Sequence, residues 1–181
     1  PVRYMNGFIL IRPLIEVRRK EIESYLKRKK IKPIIDVTNL SDVYFRNRIR
    51  NKLLPLLENY NQNIKEVLAN LAQSVSVDYD YILKKAEENF NKIKINYTKN
   101  KLEIDTDKYL KLHLSLKRMI IRLALFQLKK NLRRIEFRHI KEIESLILNR
   151  PVGSIVDLPH GLLVKKKLNS ILFSLKPTLP S

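Results

Sequence analysis

The chain opens with short apolar runs separated by polar and proline-containing turns. Residues 8–14 predict a short buried strand that stops near Pro13, because proline donates no hydrogen bond to a β-ladder. Apolar residues recur at three- and four-residue spacing over 17–30, which predicts an amphipathic helix. A second helix is expected from about residue 42, bent or restarted at Pro55. Its apolar stripe, expected to face the core, comprises Ile49, Leu53, Leu56 and Leu57.

A polar break at 59–63 leads into a longer, mainly helical stretch. Apolar residues on one face, among them Leu68, Leu71 and Val75, predict one long helix over 64–91. The elements expected after it are a short strand at 101–104, a short helix capped by Thr106 and Asp107, a longer helix capped by Ser115 that ends near residue 130, and a helix over 136–148.

The hydrophobic period changes from helical to alternating near residue 154. Short strands are predicted at 154–158, 161–167 and 170–175, with turns between them that contain glycine and asparagine. The fold prediction is therefore mainly α-helical with small β elements. The parts expected are residues 1–58, 59–150 and 151–181, with the main boundary at the polar break.

Charge is the strongest compositional signal. The chain carries 37 Lys and Arg against 18 Asp and Glu, a formal charge of +19. An anionic partner is expected, nucleic acid first and a membrane surface second, and a solvated, helix-friendly surface is the alternative. No apolar run is long enough to span a bilayer, and the absence of Cys excludes disulfides and fits a cytoplasmic setting. Because the chain begins at Pro1, we expect it to be a fragment of a longer protein.

The three histidines predict no metal site. His113, His139 and His160 lie far apart in the sequence, and no Cys is available to join them. His139 follows Arg138 and is expected to face phosphate or solvent.

The segment 44–50 is the most informative part of the chain for chemistry. On a helix, Arg46 and Arg50 share one face, and Asn47 and Arg48 flank it. Two guanidinium groups near a helix start suit a phosphate or carboxylate, and a solvated basic face is the alternative. The acceptors that precede the segment either hold the arginines in place or serve only as turn and cap residues; they are Asp36, Thr38, Asn39 and Asp42.

The helical block carries a basic surface. Between Lys108 and Lys141 there are eleven Lys and Arg residues and one acidic residue, Glu136. Such a surface neutralises phosphates without reading sequence, which is how structured RNA is mostly bound, and a solvated surface is again the alternative. The cations expected to bind RNA are Lys117, Arg118, Arg122, Lys129, Lys130, Arg133 and Arg134, and the surface is expected to extend to Lys165, Lys166 and Lys167.

Several motifs, in this order and spacing, resemble the tRNA(Ile)-lysidine synthetase family. They are R-P-L at 12–14, E-I-E-S-Y-L at 21–26, D-x-T-N at 36–39, Y-x-R-N-R-I-R-x-x-L-L-P at 44–55 and L-P-x-G-L-x-V at 158–164. The resemblance implies that residues 1–58 form the C-terminal part of an α/β nucleotide-binding domain of PP-loop type. It further implies that 59–150 form a helical tRNA-binding domain, followed by a terminal β-hairpin region.

The resemblance also implies a chemistry. Enzymes of this family use ATP to adenylate the C2 oxygen of the wobble cytidine of tRNA(Ile), and lysine then displaces AMP to form lysidine. Their S-G-G-x-D-S loop for ATP does not occur in this sequence. ATP and Mg²⁺ are therefore expected to bind to a missing N-terminal half, and this chain alone is expected to bind no cofactor and to be inactive. The implied partners are tRNA(Ile), L-lysine and ATP.

By resemblance, Arg46, Arg48 and Arg50 are catalytic residues that line the cleft. Arg12 and Asn47 are expected to bind substrate, with Asp36 and Asn39 supporting them. Residues 8–14 should bury one face against strands absent from this chain, so their exposure favours aggregation or a homodimer. The alternative function is a non-enzymatic basic helical RNA-binding module.

Overall fold

The computed structural model of the chain describes residues 2–5, 8–15, 17–34 and 41–176. The chain forms two compact units, Pro1–Val67 and Leu68–Ser181. A 30-residue helix, α4 at Ile64–Ile93, begins in the first unit and ends in the second. The supporting residues expected at Asp36 and Asn39 lie outside the described residues.

A two-stranded antiparallel ribbon opens the first unit. Strand β1, Val2–Met5, pairs with β2, Phe8–Ile11, and helix α1 follows at Arg19–Arg28. The carboxylate of Glu21 accepts a hydrogen bond from the backbone N–H of Arg18 at 2.7 Å, which satisfies a free donor at the helix start. The strand and the helix expected here are confirmed in shorter form, and β1 is an addition to the prediction.

The second helical stretch contains the disturbance expected at Pro55. Helix α2, Phe45–Arg48, passes into a π-helical turn, Ile49–Leu53, and then into α3, Leu54–Tyr60. Proline has no N–H, and its ring crowds the carbonyl of the residue four positions earlier. The wider π-helical turn before Pro55 accommodates the proline without ending the helix.

Apolar side chains of the first unit are largely exposed. Phe8 is 78% and Ile11 63% exposed, so the prediction that this strand is buried is wrong for the described chain. Leu53 and Leu56, expected to face the core, are also exposed. A ribbon with isolated helices offers no second layer against which these faces can pack. Asn47, 1% exposed, is the one buried residue within 8–15, 17–34 and 41–67.

The second unit is built on a five-stranded antiparallel sheet. Its strands, in spatial order, are β3 at Lys94–Tyr97, β4 at Lys101–Asp105, β7 at Ser170–Leu175, β6 at Leu162–Lys166 and β5 at Ile155–Leu158. The three strands expected near the C-terminus are confirmed. They form one sheet with the β3–β4 hairpin instead of a separate small region.

Helices cover one face of this sheet. After the short α5, Thr106–Leu110, helix α6 at Leu114–Lys129 contacts β4 and β7, and α7 at Phe137–Asn149 contacts β5 and β6. The prediction of a mainly helical chain with small β elements is confirmed. None of the helices in the described ranges is long and apolar enough to cross a membrane.

The core lies between the sheet and these helices. One row of apolar side chains crosses four strands in register: Leu102, Phe173, Val164 and Val156. All four are at most 1% exposed, and Ile121, Leu125 and Ile143 of α6 and α7 belong to the same buried cluster. Alternation along each strand directs every second residue to this face, which is why the period-2 pattern was visible in the sequence.

Two helices begin at other caps than those expected. Asp105, not Thr106, caps α5, because its carboxylate accepts the backbone N–H of Lys108 at 2.9 Å. His113, not Ser115, caps α6: its Nδ1 accepts the backbone N–H of Ser115 at 3.3 Å. The side chain of a capping residue accepts a hydrogen bond from the backbone N–H two or three residues later. Each capping residue therefore precedes the residue that the sequence pattern suggested.

Candidate functional site

The arginines of segment 44–50 lie on α2 and the π-helical turn. All three are exposed. The guanidinium carbon of Arg46 lies 5.4 Å from the ring centre of Tyr44, and that of Arg48 lies 5.5 Å from the ring centre of Phe45. Stacking on a ring restrains the long side chain while the N–H groups at the guanidinium edge remain able to donate.

Asn47 does not lie at the exposed face of this helical turn, where it was expected. The sequence placed it at the flank of the exposed basic face, and the structure buries it. Its side-chain Nδ2 donates a hydrogen bond of 2.7 Å to the carbonyl oxygen of Ser41. This bond ties the start of α2 to the segment before it and so positions the neighbouring arginines.

A shallow groove of about 320 Å³ runs beside the arginines. Its apolar wall includes Ile49, Leu53 and Leu56, the stripe that was expected to face a core. Arg48 lines the groove, whereas Arg46 and Arg50 do not. Lys52 also lines it, one helical turn after Arg48, and pairs with Asp42 at 2.8 Å. The sequence analysis missed Lys52, which the four-residue spacing from Arg48 would have indicated.

Arg12 is exposed in the turn after β2, where its carbonyl oxygen accepts the N–H of Ile15 at 3.3 Å. The described residues show no contact between Arg12 and the segment 44–50, and its substrate role stays a prediction. The same holds for the substrate role of Asn47.

In the second unit, Arg118 is held in an ion pair between helices. Its Nε donates to Oε1 of Glu144 at 2.6 Å, and its Nη2 lies 3.4 Å from Oε2. The guanidinium carbon lies 5.1 Å from the ring centre of Phe137. Burial alone would raise the pKa of Glu144, but hydrogen bonds from Arg118 and Lys141 outweigh it and lower that pKa. The geometry shows Arg118 joining α6 to α7, which differs from the free surface cation that was expected.

The other six cations expected to bind RNA have no such partner among the described residues. Within the described ranges, no carboxylate pairs with Lys117, Arg122, Lys129, Lys130, Arg133 or Arg134. The ammonium of Lys129 donates to the carbonyl oxygen of Arg133 at 2.7 Å. Burial, and then the charge of Arg134, lowers the pKa of Lys129.

His160 belongs to the same positive region. The charge of Lys129, followed by burial and the charge of Arg134, lowers the pKa of His160. The residue stands in the turn between β5 and β6 with a positive φ of 64°. The sequence did not associate His160 with these cations, because about thirty positions separate them and no local pattern connects them.

Two of the three lysines at 165–167, and His139, have structural contacts. Lys166 donates to the carbonyl oxygens of Ile147 and Arg150 at 2.7 and 2.8 Å, and Lys167 pairs with Glu103 at 2.9 Å, so only Lys165 remains as surface charge. The expectation that His139 faces phosphate or solvent is wrong. The residue is buried, and its Nδ1 accepts the backbone N–H of Glu136 at 2.9 Å at the start of α7.

Comparison with known proteins agrees with the resemblance. Residues 2–57 match a family model described as a PP-loop domain. The chain is 34% identical over 96% of its length to the tRNA(Ile)-lysidine synthase of Clostridioides difficile strain 630, and 36% identical over 98% to that of Caldanaerobacter subterraneus subsp. tengcongensis. It is 25% identical over 96% to the corresponding protein of Bacillus subtilis strain 168.

The similarity extends through both units of the chain. The chain spans about 38% of the length of the first two relatives and 37% of the third. On this evidence, the chain belongs to the tRNA(Ile)-lysidine synthase family.

Proposed function

We propose that this chain is the tRNA- and substrate-binding portion of an enzyme that uses ATP to join lysine to C2 of the wobble cytidine of tRNA(Ile). The observation that carries the proposal is similarity to such synthases over 96–98% of the chain, through both units. In this proposal, the first unit contributes to the reaction cleft and the second unit holds the tRNA.

Guanidinium chemistry supports a role of the first unit in the cleft. The reaction joins a phosphate-bearing nucleotide and an amino acid carboxylate, and the forked N–H groups of arginine suit both. Arg46 and Arg48 are restrained by their aromatic neighbours, and Asn47 anchors the turn from which they extend. We assign catalytic roles to Arg46, Arg48 and Arg50 on this basis.

ATP would supply the adenylate that activates the cytidine. The described residues of the first unit include no glycine, and a triphosphate cradle depends on close approach of backbone N–H groups at glycine-rich loops. These residues do not by themselves fit a triphosphate, so we assign no residue of this chain to ATP or Mg²⁺.

The catalytic proposal is tested by substitution in an enzyme that joins this chain to an ATP-binding half. We expect Arg46→Ala or Arg50→Ala to lower lysidine formation by about 10²–10³-fold, the usual effect of losing one charge-stabilising donor. Lysidine is measured as the mass increase of tRNA(Ile), and circular dichroism shows whether the fold survives. The control is Lys32→Ala, an exposed residue outside segment 44–50. Unchanged lysidine formation in both arginine variants refutes the assignment.

The tRNA-binding proposal is tested by filter binding across a salt series. Each phosphate contact contributes about 0.9 to the slope of log affinity against log salt. We therefore expect Arg122→Ala with Lys130→Ala to reduce the slope by up to about 2, while Lys84→Ala, whose ammonium pairs with Asp80 at 2.8 Å, leaves it unchanged. A preference for tRNA over duplex DNA that persists at high salt supports recognition of shape. Equal binding of both contradicts the proposal and favours a module held by bulk charge.

A further inference from the structure

A second groove, of about 330 Å³, lies between α4 and α6 in the second unit. We call it the α4–α6 groove and define it by Glu87 and Asn91 of α4, Phe126 and Gln127 of α6, and Lys130 directly after α6. Its volume is at the lower end of the range for small-molecule sites. The groove combines an aromatic ring, two amides, an acid and a base.

One polar atom in the groove has no partner. The side-chain oxygen Oε1 of Gln127 is buried and makes no hydrogen bond to any described residue. Buried polar atoms are nearly always paired, so this oxygen is short of a donor. Gln127 lines the groove, and rotation about its Cγ–Cδ bond exchanges the positions of the amide oxygen and the amide nitrogen. A ligand that brings a donor to the groove would satisfy this oxygen.

The groove is also divided by charge. Glu87 forms no ion pair in the part of the chain that the structure describes, and it offers acceptor oxygens on the α4 side. Lys130 stands at the end of α6 with a positive φ of 63°, next to the positive region of Lys129 and Arg134. The α4 side of the groove therefore suits a hydrogen-bond donor of a ligand, and the side at the end of α6 suits a phosphate.

Phe126 supplies a stacking surface between two cations. The residue is 49% exposed although its ring is apolar. Arg122 and Phe126 are four residues apart and share one side of α6, and Lys130, the residue after the helix, lines the same groove as Phe126. Alternation of cation, aromatic ring and cation is the arrangement with which proteins hold unpaired nucleotides: bases stack on rings and phosphates meet the cations.

We propose that the α4–α6 groove binds one unpaired nucleotide of the RNA, whose base carries an exocyclic amine. The base stacks on Phe126, its amine donates to Glu87 or to the Gln127 oxygen, and its phosphate pairs with Lys130. Uracil has no exocyclic amine, and its one base donor, N3–H, lies between two carbonyl oxygens that the carboxylate of Glu87 would repel, so the bases that carry an exocyclic amine (cytosine, adenine and guanine) bind in preference to it. This inference rests on the proposed RNA-binding function and adds a specific ligand to it.

The first test is a nuclear magnetic resonance titration of the full 181-residue chain with CMP, UMP and ribose 5-phosphate. We expect CMP to shift the amide signals of Phe126, Gln127 and Asn91, with an affinity about tenfold above UMP, the discrimination that one good base contact provides. Ribose 5-phosphate tests for phosphate binding alone. Gln127→Leu exchanges the unpaired amide for an apolar group of similar size, so it should not lower stability. Combined with Glu87→Leu, which removes the other acceptor, it should abolish the preference for CMP. Equal shifts with all three compounds overturn the proposal.

The second test asks whether the ligand is part of an RNA. Phe126→Leu should weaken tRNA binding about fivefold without changing its salt slope, because it removes stacking but no phosphate contact. The matched control is Tyr81→Leu, an exposed aromatic residue of α4 outside the groove. CMP binding combined with unchanged tRNA affinity in Phe126→Leu means that the groove takes free nucleotides, which overturns the assignment to RNA. If the chain binds tRNA normally and the groove gives no response, this inference alone fails; a chain that binds no tRNA contradicts the proposed function itself.

Discussion

The contacts of Lys166 allow a direct test of whether a basic side chain stabilises this fold. Its ammonium is half-buried and donates to the carbonyl oxygens of Ile147 and Arg150, at 2.7 and 2.8 Å. These carbonyls are at the end of α7, where no later residue of the helix can donate to them. The positive charge also lies at the negative end of the helix dipole. We therefore expect Lys166 to stabilise the fold.

Lys166→Met isolates this effect, because methionine keeps most of the side-chain length and removes the charge. A hydrogen bond to a charged group contributes about 1.5–3 kcal/mol net. Water reaches the end of a helix and can donate hydrogen bonds to the carbonyl oxygens that Lys166 no longer contacts. We therefore expect the free energy of unfolding to fall by about 2 kcal/mol. For a unit the size of Leu68–Ser181, that corresponds to a decrease in Tm of about 8 °C.

Urea unfolding followed by circular dichroism measures the change. The matched control is Lys165→Met at the adjacent, exposed position, which should alter stability by less than about 0.5 kcal/mol. Amide hydrogen exchange should quicken in the last turn of α7 in Lys166→Met only. Equal stability of the two variants would refute the reasoning, because it would mean that the Lys166 contacts contribute nothing beyond an exposed lysine.

Two further predictions concern Glu144 and Asn47. Because the net effect of its surroundings lowers the pKa of Glu144 below the ordinary 4.5, its ion pairs stabilise the fold above that pH and are lost as the pH falls through the folded pKa. The stability difference between wild type and Glu144→Gln, measured as urea midpoints, should therefore narrow in acid; a constant difference would contradict this account. Asn47→Ala removes the bond to Ser41, so amide exchange at 45–48 should quicken while that of α7 stays unchanged. Unchanged exchange at 45–48 would show that this bond does not anchor the turn.

Local pattern was sufficient for most helices and strands. The long helix α4, the final helix α7 and the three C-terminal strands all lie within a few residues of their predicted bounds. Helical and strand periods are properties of consecutive residues, so they can be read without knowing what the elements pack against. The motif at 44–55 identified the family for the same reason, because its spacing is local.

The availability of each charged side chain was decided by the tertiary structure. Arg118 and Glu144 are 26 residues apart, and Lys167 and Glu103 are 64 apart, so no local spacing could reveal that these cations are paired. The same applies to the α4–α6 groove, which exists only where two helices meet. The sequence by itself determined most of the elements, the net charge of +19 and the family. Packing decided which cations have an acidic partner among the described residues, because pairing depends on distance in space and not along the chain.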